Sequence, residues 1–492
     1  MTLPTLTNSR IIAPNGSSTG AGTLTSPLSL KAALTSAQAR PGDVFMLRAG
    51  EYKLGYCEVT ISGEVNAPIT FMAAPGERAI IDGYIVPFSI KGNLVFDGLE
   101  LMHSFSTRIS TASGWKFDGA QYLHGFAVYA PHIRIINCFI HDIHGQGICF
   151  NPEAKGCEAY GNVVLNCGIQ NADRTDGHGF YIKSVSDAAD PTIISDNFSL
   201  NGMANGFQLY TDGTEEFFQN MIVEGNVACG AGVLSTLARP MRDFLVGVDS
   251  PKVVKGFKVN GNVVWVPTNA RNTSPEAQIG RASTLKGFVG DGMELSRNIF
   301  MGGMTFSNWK NAVVSGNTIV ANNGKVVNAD QSNVDAPVTW NNNGYYAMAT
   351  TNGYPFTLKR VAQPVANISF ANWKKVTGYD AASVFGQGKP TKPNVVVRPN
   401  KYASGRGHVV IANWTSQPTV SVDLSSIVAV GSTYSIIDAF NPTGPAILSG
   451  VFSGQLVGVP MSNRIPAKPI GLATPSGVGP MFGAFIIKSF KA

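Results

Sequence analysis

Short apolar strands, each entered through a small polar corner, recur along the middle of the chain. One series is centred on asparagine: Ile136-Asn137-Cys138-Phe139-Ile140, Gly161-Asn162-Val163-Val164-Leu165, Asp196-Asn197-Phe198-Ser199-Leu200 and Gly225-Asn226-Val227-Ala228-Cys229. It continues through Gly261-Asn262-Val263-Val264-Trp265, Arg297-Asn298-Ile299-Phe300-Met301 and Gly316-Asn317-Thr318-Ile319-Val320. Successive asparagines stand 25, 35, 29, 36, 36 and 19 residues apart. A solenoid coil with loops of varying length at its corners has this kind of period. Asn suits the corner because it tolerates left-handed backbone, and its amide can pair with the copy on the next coil.

A second series begins at glycine: Gly125-Phe126-Ala127-Val128-Tyr129, Gly147-Ile148-Cys149-Phe150-Asn151, Gly179-Phe180-Tyr181-Ile182-Lys183 and Gly206-Phe207-Gln208-Leu209-Tyr210. Strand side chains alternate between faces. Phe126, Ile148, Phe180 and Phe207 therefore stack inward, as do Val128, Phe150, Ile182 and Leu209. Ala127, Cys149, Tyr181 and Gln208 point outward, beside Tyr129, Asn151, Lys183 and Tyr210. The residues before the glycines, His124, Gln146, His178 and Asn205, form one more row.

Together the two series predict an all-β right-handed parallel β-helix over 41–330. Residues 1–40 make an N-terminal cap, with a short amphipathic helix in the segment 27–39 laid over the open first coil. Residues 331–391 are a bridging segment of weak periodicity. Over 392–492 the pattern changes to separate short strands, such as 408–414, 433–439 and 482–487, divided by Gly, Pro and Ser turns. That spacing predicts a small C-terminal antiparallel β-sandwich.

Composition agrees with an elongated fold. At 492 residues the chain exceeds what one compact core supports, and 54 glycines with only 14% charged residues describe a turn-rich β protein. The net charge of +6 is spread without a Lys/Arg run, so no nucleic-acid partner is expected. No membrane span is present, and Met1 to Arg10 lacks the basic start and apolar run of a secretory signal. An extracellular or virion setting is expected. The six cysteines show no CxxC pair, so buried free thiols are expected rather than a metal cluster.

The opening from Asn15-Gly16-Ser17-Ser18-Thr19-Gly20 to Pro27, the cap helix and Pro41-Gly42-Asp43 resemble the N-terminal cap of chondroitinase B and alginate lyases of the pectate-lyase-like β-helix superfamily. The segment Asp173-Arg174-Thr175-Asp176-Gly177-His178-Gly179-Phe180-Tyr181 is similar to bacterial β-helix repeat proteins and, more loosely, to mannuronan epimerases. The resemblance covers roughly residues 10 to 325 and implies the fold. For activity it implies lyases, hydrolases, epimerases or phage tailspikes, and fold alone does not choose among them. The acidic calcium-binding trio of the lyases has no residue-by-residue match here; no cofactor is required by the sequence, and calcium stays open.

The richest constellation is the loop from Asp173 with the strand after it. A lyase on a uronate polymer must neutralise the sugar carboxylate, remove the adjacent proton and protonate the leaving oxygen. Arg174 or a cation fits the first task, Lys183 or His178 the second and Tyr181 the third. A hydrolase instead needs two carboxylates about 5 to 5.5 Å apart when retaining or about 6.5 to 9.5 Å when inverting, drawn from Asp173, Asp176, Asp212, Glu215 and Glu216. Tyr129, Gln146, Asn151, Gln208 and Tyr210, with Asp212, Glu215 and Glu216, are the expected substrate contacts, the tyrosines offering flat faces to sugar rings. His141, Asp142 and His144 form a second cluster without specific metal-ligand spacing.

A polysaccharide lyase or glycoside hydrolase acting on an extended, possibly uronate-containing polysaccharide or cell-surface glycan is therefore the first expectation. The alternative is a virion or surface structural protein of tailspike, decoration or adhesin type, which binds glycan or assembles, for example as a homotrimer, without chemistry.

Overall fold

The structure is a computed structural model. It describes residues 9–490 apart from 37, 115–116, 118–122, 212–216, 238, 249–252, 268–276, 281–288, 323, 335–337 and 350–352.

Each coil contributes one strand to each of three faces. The first face runs through Val44–Leu47, Ile69–Ala73, Leu94–Asp97, Ile133–Ile136 and onward to Val338–Asn341. The second carries Glu100–Met102, Phe139–His141, Val163–Leu165, Phe198–Leu200 and later copies. The third carries Phe126–Val128, Ile148–Phe150, Phe180–Ile182 and Phe207–Thr211, and continues to Phe356–Arg360. Successive coils pair parallel on every face. This is the predicted all-β, right-handed parallel β-helix.

The glycine series keeps its expected register, Phe126 on Ile148, Ile148 on Phe180 and Phe180 on Phe207. All four are fully buried, and the rings of Phe180 and Phe207 stack at 4.5 Å. The asparagine series is shifted in its first copy. Asn162 aligns with Cys138, not with Asn137: the backbone N–H of Cys138 donates to Asn162 Oδ1 at 2.9 Å. From Asn162 onward the amides form one ladder, each Nδ2 donating to the next Oδ1 through Asn197, Asn226, Asn262, Asn298, Asn317 and Asn343 at 2.9 to 3.0 Å.

The left-handed residue is the one before each ladder position, Cys138 on the first coil and an asparagine on the rest. Asn137, Gly161, Asp196, Gly225, Gly261, Arg297 and Gly316 have φ between 54° and 67°. The corner thus divides two tasks assigned above to one asparagine: its neighbour turns the chain, and its buried amide closes the hydrogen bonds that the turn leaves open.

The cap helix is Leu30–Thr35, with the Ser29 side chain accepting from the Ala32 N–H. Leu30, Ala33 and Leu34 join the core of the first coil with Ile12 and Tyr52. At the far end, parallel pairing runs on inside 331–391: Val338–Asn341 joins the first face, and Gly344–Ala347 then Val384–Gln387 join the second. A helix at Phe370–Thr377 lays the buried Trp373 ring 5.0 Å from Phe356, at the end of the coil stack.

Beyond 392 the chain forms a five-stranded antiparallel sheet, including Arg406–Ala412, Thr433–Asp438 and Phe482–Phe490, and a two-stranded sheet of Thr419–Val422 with Val457–Pro460. Its Val410, Trp414, Phe482 and Ile486 pack on the outward residues of the second face, Val163, Leu165, Phe198 and Trp265. Strands such as Val163–Leu165 are accordingly apolar on both sides, as strands covered twice should be. All six cysteines are buried and free. Among the described residues no helix is long and apolar enough to cross a membrane.

Candidate functional site

The turn at Gly177 positions the third-face site. Its φ is 85°, and a Cβ there would stand 2.5 Å from Gly168 Cα and 2.6 Å from the Gly145 carbonyl oxygen. Only glycine lets the chain pass so close to the neighbouring coil. Ahead of it, Ile169–Gln170 pairs antiparallel with Thr175–Asp176, which folds the loop carrying Asp173 and Arg174 back on itself. Asn171 Oδ1 accepts the N–H groups of Asp173 and Arg174 and shapes the tip.

Asp176 is heavily engaged. Its Oδ2 accepts from Arg174 Nη2 at 3.0 Å, and its Oδ1 from Gln146 Nε2 at 3.2 Å and the Gly177 N–H at 2.7 Å. Asp173 is exposed and accepts the Gly114 N–H at 2.7 Å.

The row before the glycines is a second ladder of acceptors. Gln146 N–H donates to His124 Nδ1 at 2.9 Å, His178 N–H to Gln146 Oε1, Asn205 N–H to His178 Nδ1 at 3.0 Å and Arg242 N–H to Asn205 Oδ1 at 2.8 Å. Burial drives the His178 pKa down to about 4, Asp176 opposing and Arg174 assisting. Burial also brings His124 to about 4, with Asp176 opposing and Lys183 assisting. His178 is thus a neutral ring at pH 7, and the hydrogen bond at Nδ1 assigns its proton to Nε2.

Tyr181 and Lys183 lie beside it. The His178 and Tyr181 rings meet edge to face at 5.5 Å, and Lys183 Nζ sits 5.3 Å from the Tyr181 ring centroid. Among the described residues Lys183 forms no ion pair. In the register of this face, Tyr129, Asn151, Lys183 and Tyr210 follow one another on consecutive coils, about 4.8 Å apart. Gln146, Asn151 and Gln208 are buried, and Gln208 accepts from Asn205 Nδ2. Asp212, Glu215 and Glu216 lie outside the described residues.

The His141 cluster is a buried ion network. His141 Nδ1 bonds Asp142 at 2.8 Å and its Nε2 bonds Glu100 at 3.0 Å, while Arg108 reaches Asp142 at 3.4 Å. His144 Nε2 bonds the Phe105 carbonyl at 3.0 Å. Among the described residues no three His, Cys, Asp or Glu side chains converge as metal ligands.

The family model of the Pel9A-like right-handed β-helix region matches residues 10–271. The chain belongs to this family. The pectate lyase PEL9 of Emericella nidulans is 32% identical over 246 residues, 45% of this chain and 57% of that protein. The chain therefore matches less than two thirds of that relative's length. Among solved structures, pectate lyase Pel9A aligns over 96% of this chain and 95% of its own at 16% identity and a TM-score of 0.37. The GH136 lacto-N-biosidase of Eubacterium ramulus aligns over 77% of this chain and 67% of its own at 14% identity and a TM-score of 0.44. The Pel9A-like chain has the right-handed β-helix architecture of its family.

The first face carries a bend that the strand pattern alone does not announce. Asn220, Gly256 and Gly292, with φ of 58° to 70°, stack in one column and break the strands of successive coils at the same point. The bend lines a groove of about 780 Å³ that also holds Lys258, Glu294 and Arg297. Recurrence of Asn or Gly six residues before the ladder asparagines 226, 262 and 298 was the available signal.

Proposed function

We propose that the third face binds a uronate-containing polysaccharide and cleaves it by β-elimination, with Lys183 as the base. The supporting observation is the row Tyr129, Asn151, Lys183 and Tyr210: an amine without a described carboxylate partner, on one outward row with two tyrosines, each step along the row being one coil. In the step, Lys183 takes the proton beside the sugar carboxylate, that electron pair forms the new C=C bond, and the C–O bond to the leaving sugar breaks. Tyr181 protonates the departing oxygen, and Arg174 faces the substrate carboxylate. His178 does not serve as base in this reading, because its Nδ1 lone pair is spent on Asn205 and its Nε2 carries the proton. The name of the relative PEL9 makes pectate-type galacturonans the first polymers to test.

The deciding assay follows ultraviolet absorbance of the unsaturated product on polygalacturonate and alginate. A rise on either supports the proposal; no rise on any uronate polymer overturns it. Glycan binding without turnover is the second reading, favoured by the engagement of Asp176 and His178 in structural hydrogen bonds. It predicts saturable polymer binding with neither unsaturated product nor new reducing ends.

A further inference from the structure

Arg406 and Lys488 stand opposite each other on neighbouring antiparallel strands of the C-terminal sheet. Both line a cleft of about 430 Å³ between that sheet and the second face of the helix. A cleft of this size lies in the range of small-molecule sites. Phe139, Ile437 and Pro442 supply an apolar wall, and Asn137 and Thr443 add polar groups.

The carboxylates of the lining already have cations. Glu77 pairs with Arg48 at 2.8 Å, and Glu100 with Arg78 at 2.5 Å and His141 at 3.0 Å. Among the described residues, neither Arg406 nor Lys488 forms an ion pair. Asp97 attracts Arg406 without pairing with it, and burial pushes the Asp97 carboxyl up to about 6. Burial lowers the proton affinity of both cations, and Arg406 lowers that of Lys488 further. Like charges directly opposite on adjacent strands repel, and the half-buried Arg406 guanidinium is partly removed from water without a partner, which is costly, while Lys488 stays exposed beside it. An anion in the cleft satisfies both.

We propose that this cleft binds a carboxylated sugar, as a monomeric or chain-terminal uronate. Its carboxylate sits on Arg406 and Lys488, and its C–H face rests on Phe139 and Pro442. Charge alone would accept any small anion; the apolar wall beside the cations selects a sugar acid. The site is separate from Lys183 and holds whether or not the third face is catalytic.

The test is calorimetric titration of the full chain carrying Lys183→Ala, which takes the cation away from the third-face row, with galacturonate, galactose and inorganic phosphate. Galacturonate is expected to bind and galactose not to. Lys488→Gln, at an exposed position, should weaken binding roughly tenfold or more without changing the melting temperature, and Lys488→Arg should retain it. Absence of galacturonate binding, equal binding of galactose, or indifference to Lys488→Gln would overturn the proposal. Phosphate binding as tight as galacturonate would reduce the cleft to a general anion site and overturn the sugar assignment.

Discussion

His178 Nδ1 accepts the backbone N–H of Asn205 at 3.0 Å, one coil along the helix. A ring that stands in the middle of the most motif-like segment of the chain therefore does on the third face what the asparagine amides do at the corner before the second. It closes a backbone donor that the parallel stack would otherwise leave unpaired.

Removing that acceptor should cost stability. His178→Ala is expected to lower the unfolding free energy by about 1 to 3 kcal/mol, the usual penalty for an unpaired buried donor. His178→Gln should recover most of it, because Gln146 already serves as such an acceptor on the preceding coil. Chemical denaturation measures both. Full stability of His178→Ala together with lost turnover would make the ring catalytic instead.

Acid should reveal the same ring. Its folded pKa of about 4 lies below the ordinary 6.5, so between those values the unfolded chain binds a proton that the folded chain refuses. This contribution is complete above pH 6.5 and is lost as the pH falls toward 4. Asp97 and Asp243, raised to about 6 and about 7, titrate with the opposite sign, so the whole curve mixes the two. The informative quantity is the difference: His178→Gln should lose less stability than the parent chain between pH 7 and 4.5. Parallel curves would contradict the shift.

Lys183 is the group on which the proposed elimination rests. Lys183→Ala should lower kcat on the responsive uronate polymer by about 100-fold or more while leaving the melting temperature in place. Its stem lies half-buried beside Tyr181, so loss of packing is small. Retained turnover in this variant would remove Lys183 from the chemistry.

Asn226 sits mid-ladder. It accepts the N–H and Nδ2 of Asn197 and donates to the Ile194 carbonyl and to Asn262. Asn226→Ala strands several buried polar groups at once, and a loss of about 3 kcal/mol or more is expected on thermal or urea unfolding. A loss below about 1 kcal/mol would show that water replaces the amide.

The coil architecture was legible in the residues because a strand has a period of two and a coil a longer one, and both leave their mark on each repeat. The inward row from Phe126 to Phe207 follows directly from that alternation. The misplaced first asparagine shows where local reading stops. Asn137 and Cys138 fit either alignment as letters, and only the hydrogen bond from Cys138 to Asn162 decides between them.

By itself the sequence determined which segments stack, which side chains fill the core and that Tyr181 and Lys183 share the outer side of one strand, because these follow from periodicity along a single chain. The tertiary structure alone decided what covers each face. It placed Trp414 and Phe482 on the second face, tied Asp176 to Arg174 and Gln146, and turned His178 into a hydrogen-bond acceptor. Such roles depend on which atoms arrive from distant stretches of the chain, and no local pattern encodes that arrival. On the row through Lys183 the outward alternation read from the sequence and the open side of the helix coincide, and there the proposed site lies.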